Sequence, residues 1–285
     1  MRRRDFVEWG TTLGLTRIGA SARAATPPLR IGLTAVILAD QAAFLARWSD
    51  YLSLRVGVPV NFVARESYQS ILDLLLSEQL DAAWICGFPY VRHQSQLQLL
   101  AVPVYRGKPL YQSYLIRTRG SASDLKGWSD LKHRVLAYSD PLSNSGWLVA
   151  QAQLRAVGLS ERDLRRAFFA HSHRNVAEAV ATGLAQAGCM DGYVWETMQL
   201  QKMALVAKTE VIWKSDFYAF PPLVVRAGDR NSALATLGAA LLAMQDDAQG
   251  RELLGALNLN GFSSAVPALF DSIKMLAASV NAART

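Results

Sequence analysis

The sequence predicts an α/β protein of two lobes, each a mostly parallel sheet flanked by helices. Strand-like and helix-like segments alternate along most of the 285 residues. They fall into two series, with extended segments at Tyr111–Thr118 and Pro221–Ala227. The chain is also longer than one typical domain core requires. Because two extended crossings between two α/β units form a hinge, the sequence predicts a clamp that closes on a ligand.

The first series begins at Leu29 and repeats strand, helix, strand. Residues 40–54 carry apolar side chains with a helical period, and Ser67 is placed to cap a second helix. Because strands joined by helices pair in parallel through right-handed crossovers, we expect one parallel sheet here. Its predicted strands lie at 29–33, 58–63, 82–86 and 97–104.

The second series has predicted strands at 134–138, 168–171 and 189–194, with helices after Ser145 and over 174–184. Three further helices are expected near 232–244, 248–257 and 265–280. These elements assign residues 29–112 plus 223–285 to the first lobe and residues 113–222 to the second.

Residues 1–24 have the pattern of a twin-arginine signal peptide. Arg3 and Arg4 are followed by Phe6 and an aliphatic residue, and a modestly apolar stretch ends in small residues at 22–24. A basic disordered tail is the alternative, since Arg17 interrupts the apolar stretch. No cysteine follows the small residues, and no later run is apolar enough to span a membrane. We therefore expect a periplasmic protein without stable membrane insertion.

The charge of the chain excludes one class of partner. The net charge is +7, and removal of residues 1–24 leaves 25 basic against 21 acidic residues. No dense Lys/Arg stripe remains, so we expect no nucleic-acid partner. The two cysteines form no disulfide framework and no Cys/His group has zinc-site spacing. We expect no metal and no cofactor.

The turn from Ser139 to Gly146 is the clearest functional feature. It lies between a predicted strand and a predicted helix, and it contains Ser143, Asn144 and Ser145. Free N–H groups at a helix start bind anions, and these side chains add further donors. A helix cap is the alternative explanation for the serines.

Other polar turns follow strands whose carboxyl ends should meet at the cleft. Candidate ligand-binding residues in these turns are Cys86, Tyr90, His173, Asp191 and Tyr193. Each has a structural alternative: the thiol and the aromatic rings suit a core, and the carboxylate suits a helix cap. A metal pair formed by the two histidines of the sequence His-Ser-His is a weaker hypothesis.

The pattern Asp140-Pro141-x-Ser143-x-Ser145-Gly146, followed by Ser172-His173, resembles the periplasmic phosphate/phosphite/phosphonate-binding proteins of ABC importers. The resemblance covers nearly the whole mature chain and implies a type II periplasmic-binding-protein fold. In that family a Ser-Thr-Ser turn and a histidine hold the tetrahedral anion. By position this implies Ser143, Asn144, Ser145 and His173, with Asn144 in place of the usual Thr.

The resemblance implies a binding protein that performs no chemistry and presents a small oxyanion to an ABC permease or a membrane sensor protein. A branch of the same family senses arsenic oxyanions, so an arsenite sensor that uses Cys86 is an alternative. A serine hydrolase is a third possibility, but the chain has no Gly-x-Ser-x-Gly elbow. The identity of the anion, the type of partner and the oligomeric state stay open.

Overall fold

The computed structural model describes residues 27–34, 42–120 and 124–282. The predicted signal peptide at residues 1–24 lies outside the described residues. Within the ranges that are described, no helix is long and apolar enough to cross a membrane.

Eleven strands within the described residues form two mixed sheets. The six-stranded sheet has the order β11-β4-β10-β3-β1-β2, and the five-stranded sheet has the order β7-β6-β8-β5-β9. We call the six-stranded sheet with its helices the first lobe, and the five-stranded sheet with its helices the second lobe. In chain order the strands are β1 (Leu29–Leu33), β2 (Val60–Ala64), β3 (Ala82–Trp84), β4 (Leu97–Val104), β5 (Leu110–Thr118), β6 (Val135–Tyr138), β7 (Arg166–Phe169), β8 (Ala187–Asp191), β9 (Thr209–Ala219), β10 (Leu223–Arg226) and β11 (Gly261–Ser263).

The helices pack apolar faces onto these sheets. Ser67 caps α2 as predicted, since its hydroxyl accepts the N–H of Ser70, and the apolar face of this helix is buried. The α-helices of the described residues are α1 (Ala42–Val56), α2 (Tyr68–Leu76), α3 (Gly87–Arg92), α4 (Val149–Ala156), α5 (His173–Ala181), α6 (Gly192–Leu200), α7 (Ala204–Ala207), α8 (Ser232–Leu242), α9 (Ala248–Ala256) and α10 (Asp271–Ala282).

The prediction of a parallel first sheet is wrong at one edge. Strands β1, β2 and β3 pair in parallel, but β4 pairs antiparallel with both β10 and β11. The two crossings between the lobes, predicted at Tyr111–Thr118 and Pro221–Ala227, also lie elsewhere. Strand β5 belongs to the second sheet and β10 to the first, so the chain passes between the lobes at 105–109 and 220–222.

Two elements of the second lobe differ from prediction. Strand β8 ends at Asp191, because the carboxylate of this residue accepts the N–H groups of Tyr193 and Val194 and starts α6. The predicted strand therefore stops three residues early. Strand β9, which the sequence did not indicate, pairs antiparallel with β5 along its whole length.

The lobes are in contact across the cleft between the sheets. Helix α10 packs against α3 of the first lobe and against α4 of the second. The ring of Phe88 in α3 stacks on that of Trp147, with centroids 6.1 Å apart. Arg155 in α4 donates to the carbonyl oxygen of Val280 near the end of α10, at 2.8 Å.

Candidate functional site

The turn after β6 is stabilised by hydrogen bonds from its own side chains to its backbone. The Oδ1 of Asp140 accepts the N–H of Leu142 at 2.7 Å, and the hydroxyl of Ser143 accepts the N–H of Gly146 at 2.9 Å. A single turn of π-helix then runs from Asn144 to Leu148, a distortion that is frequent at functional sites. A Cβ at Gly146 would lie 1.8 Å from the Oγ of Ser139, so only glycine lets the turn pack this closely on the strand.

Two residues of the first lobe, Cys86 and Tyr68, contact this turn, as does Tyr111 near the start of β5. The backbone N–H of Asn144 donates to the Sγ of Cys86 at 3.2 Å, and its Nδ2 donates to the hydroxyl of Tyr111 at 3.0 Å. The backbone N–H of Tyr68 donates to the Oδ2 of Asp140 at 3.2 Å. The turn predicted to hold an anion therefore lies at the interface of the lobes.

His173 begins α5 and is buried beside the turn. Its Nδ1 accepts the backbone N–H of Asp191 at 3.1 Å, and its Nε2 lies 3.3 Å from the hydroxyl of Tyr68. A backbone N–H only donates, so Nδ1 carries no proton and the neutral ring has its hydrogen on Nε2. Burial also lowers the pKa of His173 to about 3. The imidazole is therefore a neutral donor that points towards the first lobe.

Three buried polar atoms at the turn have no hydrogen-bond partner: the Oγ of Ser139, the Oδ1 of Asn144 and the Oγ of Ser145. Most buried polar groups in proteins are paired, because an unpaired one costs about 1–3 kcal/mol. A small polar ligand held at the turn would supply the missing partners.

Burial also shifts the pKa values of the acidic side chains and tyrosine hydroxyls in this cluster. Burial raises the pKa of Asp191 to about 7, because the charged form loses its hydration. Burial likewise raises the pKa of the Tyr68 and Tyr111 hydroxyls well above the usual range, so both stay protonated and can donate. Burial also raises the pKa of Asp140, whose carboxyl group accepts the N–H groups of Leu142 and Tyr68. The cluster thus combines neutral hydroxyl and imidazole donors with two carboxyl groups whose pKa values are raised.

The structure brings most of the predicted site residues together. Ser143, Asn144, Ser145, Cys86 and His173 all lie in the buried cluster at the turn. Asp191 lies beside them, and its carboxylate also caps α6, so the two interpretations of this residue are compatible.

Two predicted residues are placed differently. The ring of Tyr90 packs on that of Phe270 with centroids 4.7 Å apart, on the α10 side of α3. The hydroxyl of Tyr193 donates to the carbonyl oxygen of Leu257 at 2.5 Å, and its ring packs on Tyr105 at the hinge. Their aromatic character suited a core as well as a cleft, and these contacts are those of a core.

The histidine pair does not share a site. His171 is exposed and has a φ of +65°, whereas His173 is buried in the next helix. Among residues 27–34, 42–120 and 124–282, no group of three or more His, Cys, Asp or Glu could hold a metal ion.

The cysteines flank the turn without forming a disulfide. The thiol of Cys189 donates its hydrogen to the carbonyl oxygen of Ser145 at 3.0 Å, while the Sγ of Cys86 accepts the backbone N–H of Asn144. Burial raises the pKa of Cys86 to about 11 and that of Cys189 to about 12. Both side chains are therefore thiols rather than thiolates at neutral pH.

Sequence reasoning missed Tyr68 and Tyr111. Tyr68 is the first residue of α2 and occupies an ordinary apolar position of the helical pattern. Tyr111 stands in a β-strand in which aromatic residues are common. Their position in front of a buried strand–turn–helix depends on contacts between the lobes, so the local sequence carries no signal for it.

Comparison with known proteins agrees with this geometry. Residues 33–270 match the family model of the periplasmic substrate-binding protein of phosphonate ABC transporters. A phosphate-import protein, PhnD, from Mycolicibacterium smegmatis is 27% identical over 208 residues, which are 67% of this chain and 64% of that protein. The alignment thus spans less than two thirds of the relative's own length.

Two solved structures share the fold. The binding-protein component of an ABC phosphonate transporter from Pseudomonas aeruginosa superposes with a TM-score of 0.82 at 20% identity, over 90% of this chain and 87% of that one. PhnD1 from Prochlorococcus marinus, in complex with methylphosphonate, superposes with a TM-score of 0.78 at 19% identity, over 89% of this chain and 98% of that one. The predicted two-lobed type II fold is therefore confirmed.

The family model covers more than half of the chain, and it describes a substrate-binding component rather than an enzyme. The strand–turn–helix of Ser143 and Ser145 lies within the matched residues. This chain belongs to the family of periplasmic substrate-binding proteins of phosphonate ABC transporters.

Proposed function

We propose that this protein captures a small phosphorus oxyanion, of the phosphonate, phosphite or phosphate class, and delivers it to an ABC importer. The observation that carries the proposal is the pair of unpaired, buried side-chain atoms on Asn144 and Ser145, at the contact between the lobes. Family membership supports the same function.

The donors of the turn suit an oxyanion. The hydroxyl of Ser145 is unpaired, and the protonated hydroxyls of Tyr68 and Tyr111 lie next to His173 and Asn144. Such donors stabilise an anion through several short hydrogen bonds and need no paired cation. We propose these side chains as ligand-binding residues together with Ser143, Asn144 and His173.

The site is complete only while the two lobes are in contact. Tyr68 comes from the first lobe, Tyr111 from the hinge-proximal part of β5, and the serine turn from the second lobe. An anion that bridges these groups binds only the closed arrangement well, so its binding shifts the population towards closure. The closed form would then be recognised by a permease in the membrane, after export of the chain to the periplasm.

A thermal-shift screen of residues 25–285 tests the function. The anions are phosphate, phosphite, methylphosphonate, 2-aminoethylphosphonate, sulfate, arsenate and arsenite. We expect at least one phosphorus oxyanion to raise the melting temperature in a concentration-dependent way, since a ligand of the folded state stabilises it by mass action. Absence of any shift with the phosphorus compounds would contradict the proposal, and a shift with arsenite alone would favour the sensor alternative.

A further inference from the structure

Helix α6 of the second lobe presents one polar face to the first lobe. Tyr193, Glu196 and Thr197 are spaced three and four positions apart, so their side chains lie on the same side of the helix. The hydroxyl of Tyr193 donates to the carbonyl oxygen of Leu257, and the Oγ1 of Thr197 accepts the Nδ2 of Asn258 at 2.9 Å. Both partners lie between α9 and β11 of the first lobe. Two hydrogen bonds of this face therefore join the lobes outside the serine turn.

Glu196 makes the third connection. Its carboxylate accepts the hydroxyl of Tyr105, which directly follows β4 of the first lobe, and that of Tyr114 in β5 of its own lobe at 2.6 Å. The guanidinium of Arg106, in the first crossing between the lobes, lies 3.0 Å from the same carboxylate. Burial, and then hydrogen bonding to Glu196, raise the pKa of both tyrosines, so both hydroxyls are protonated and donate. One carboxylate thus receives one hydroxyl from each side of the hinge.

These contacts are shielded from water. Tyr105, Tyr193 and Thr197 are each less than a tenth exposed, and the side chain of Glu196 is 12% exposed. The ring of Tyr105 packs edge-on against that of Tyr193, with centroids 5.2 Å apart. Separation of the lobes would expose apolar ring surface and exchange three hydrogen bonds for bonds to water. The chain itself therefore favours the arrangement in which the lobes are in contact.

We propose that Tyr193, Glu196 and Thr197 form a latch that holds the lobes together, and that the strength of this latch scales the affinity for every ligand of the cleft by one common factor. The apparent affinity is the intrinsic affinity multiplied by the fraction of molecules in the binding-competent, closed state. Because the latch lies outside the serine turn, it changes this fraction and leaves the choice of ligand unchanged. The inference rests on the family's role in substrate binding and not on the identity of the anion.

Tyr105→Phe and Tyr114→Phe are a matched pair that tests the latch. Each removes one hydroxyl from the carboxylate of Glu196, but only the hydroxyl of Tyr105 comes from the first-lobe side of the hinge. Hydrogen exchange, measured by NMR, follows the open fraction at the backbone N–H groups of Tyr68 and Asn144, since both are bonded across the lobes. Calorimetry follows the closed fraction through the affinity.

The rise in the exchange rate multiplied by the fall in affinity equals the factor by which a substitution weakens closure, whichever state dominates in the wild type. For Tyr105→Phe we expect a product of about tenfold, the loss of one hydrogen bond to a charged group. The fall in affinity should be the same for the two anions that give the largest thermal shifts. For Tyr114→Phe the product should stay within about twofold of one, because its bond lies within the second lobe.

Equal products for the two variants, or a fall in affinity confined to one anion, would overturn the latch. If Tyr105→Phe does not fold, Thr197→Val replaces it, since it keeps the shape of the side chain and removes the acceptor of the Asn258 bond. If no anion of the screen binds, the proposed function fails. The exchange rates then decide separately, and unchanged rates in the variant overturn the latch.

Discussion

The Nδ1 of His173 accepts the backbone N–H of Asp191 at 3.1 Å, and this bond determines which ring nitrogen carries the proton. The Nε2–H is thereby directed to the hydroxyl of Tyr68, 3.3 Å away in the other lobe. His173, at the start of a second-lobe helix, is thus linked to Tyr68 of the first lobe, and the bond at Nδ1 determines that its Nε2–H is the donor.

Substitution of His173 by glutamine or by asparagine distinguishes the contributions of its two ring nitrogens to anion binding. His173→Gln places an amide N–H near the position of Nε2, so it should keep most of the affinity for the oxyanion. His173→Asn places its polar atoms near Nδ1 and lacks the distal donor, so it should bind about tenfold or more weakly. Calorimetry on both folded variants checks this. Weaker binding by the Gln variant than by the Asn variant would contradict the assigned tautomer.

The buried His173 and Asp191 should make opposite contributions to acid stability. The pKa of His173 is lowered by burial from 6.5 to about 3, so the native state binds fewer protons than the unfolded state in that range, and stability is lost as pH falls. The pKa of Asp191 is raised by burial from 3.8 to about 7, so the native state binds more protons there, and stability is lost as pH rises. The two effects offset each other between 3.8 and 6.5.

Asp191→Asn removes one side of this balance and keeps a residue that can cap α6. The free energy of unfolding of the variant should therefore rise with pH over that window more steeply than that of the wild type, by up to about 1.4 kcal/mol per pH unit. Urea unfolding at several pH values measures the two slopes. Parallel slopes would show that Asp191 does not hold the raised pKa.

Cys86→Ser tests the arsenite alternative. The thiol of Cys86 accepts the N–H of Asn144, and a hydroxyl can accept the same bond, so binding of a phosphorus oxyanion should stay within a few-fold of wild type. A modest loss of stability is expected because the hydroxyl is more costly to bury. Loss of arsenite binding in the variant, with no phosphorus oxyanion bound by the wild type, would instead support a thiol-dependent sensor.

Arg155 joins the second lobe to the C-terminal helix. Its guanidinium donates to the carbonyl oxygen of Val280 at the end of α10, where a cation also interacts favourably with the helix dipole. Arg155→Met should therefore lower the stability by about 1 kcal/mol, and Arg162→Met, on an exposed turn after α4, should not. Thermal unfolding of the two variants makes the comparison, and equal melting temperatures would contradict a role for this contact.

The sequence predicted the serine turn because its signal is local: an apolar strand, hydroxyl and amide residues, and a helix start within a few positions. The position of Tyr68 and Tyr111 beside this turn was not predictable, since it depends on the approach of the two lobes. Strand β9 was missed because it is half-buried and its partner β5 lies about a hundred residues earlier. The start of helix α6 was predicted too late because Tyr193, Val194 and Trp195 are β-prone, and the cap supplied by Asp191 overrides that preference.

The most direct test of the account is calorimetry of Ser145→Ala beside the wild type, with whichever of methylphosphonate, phosphite and phosphate gives the largest thermal shift. The Oγ of Ser145 is buried and unpaired, so its removal should leave stability nearly unchanged while it removes one charge-assisted hydrogen bond to the ligand. That bond is worth about 1.5–3 kcal/mol, so the affinity should fall about ten- to a hundredfold. Wild-type affinity in the folded variant would show that the anion, if it binds, does not bind at this turn.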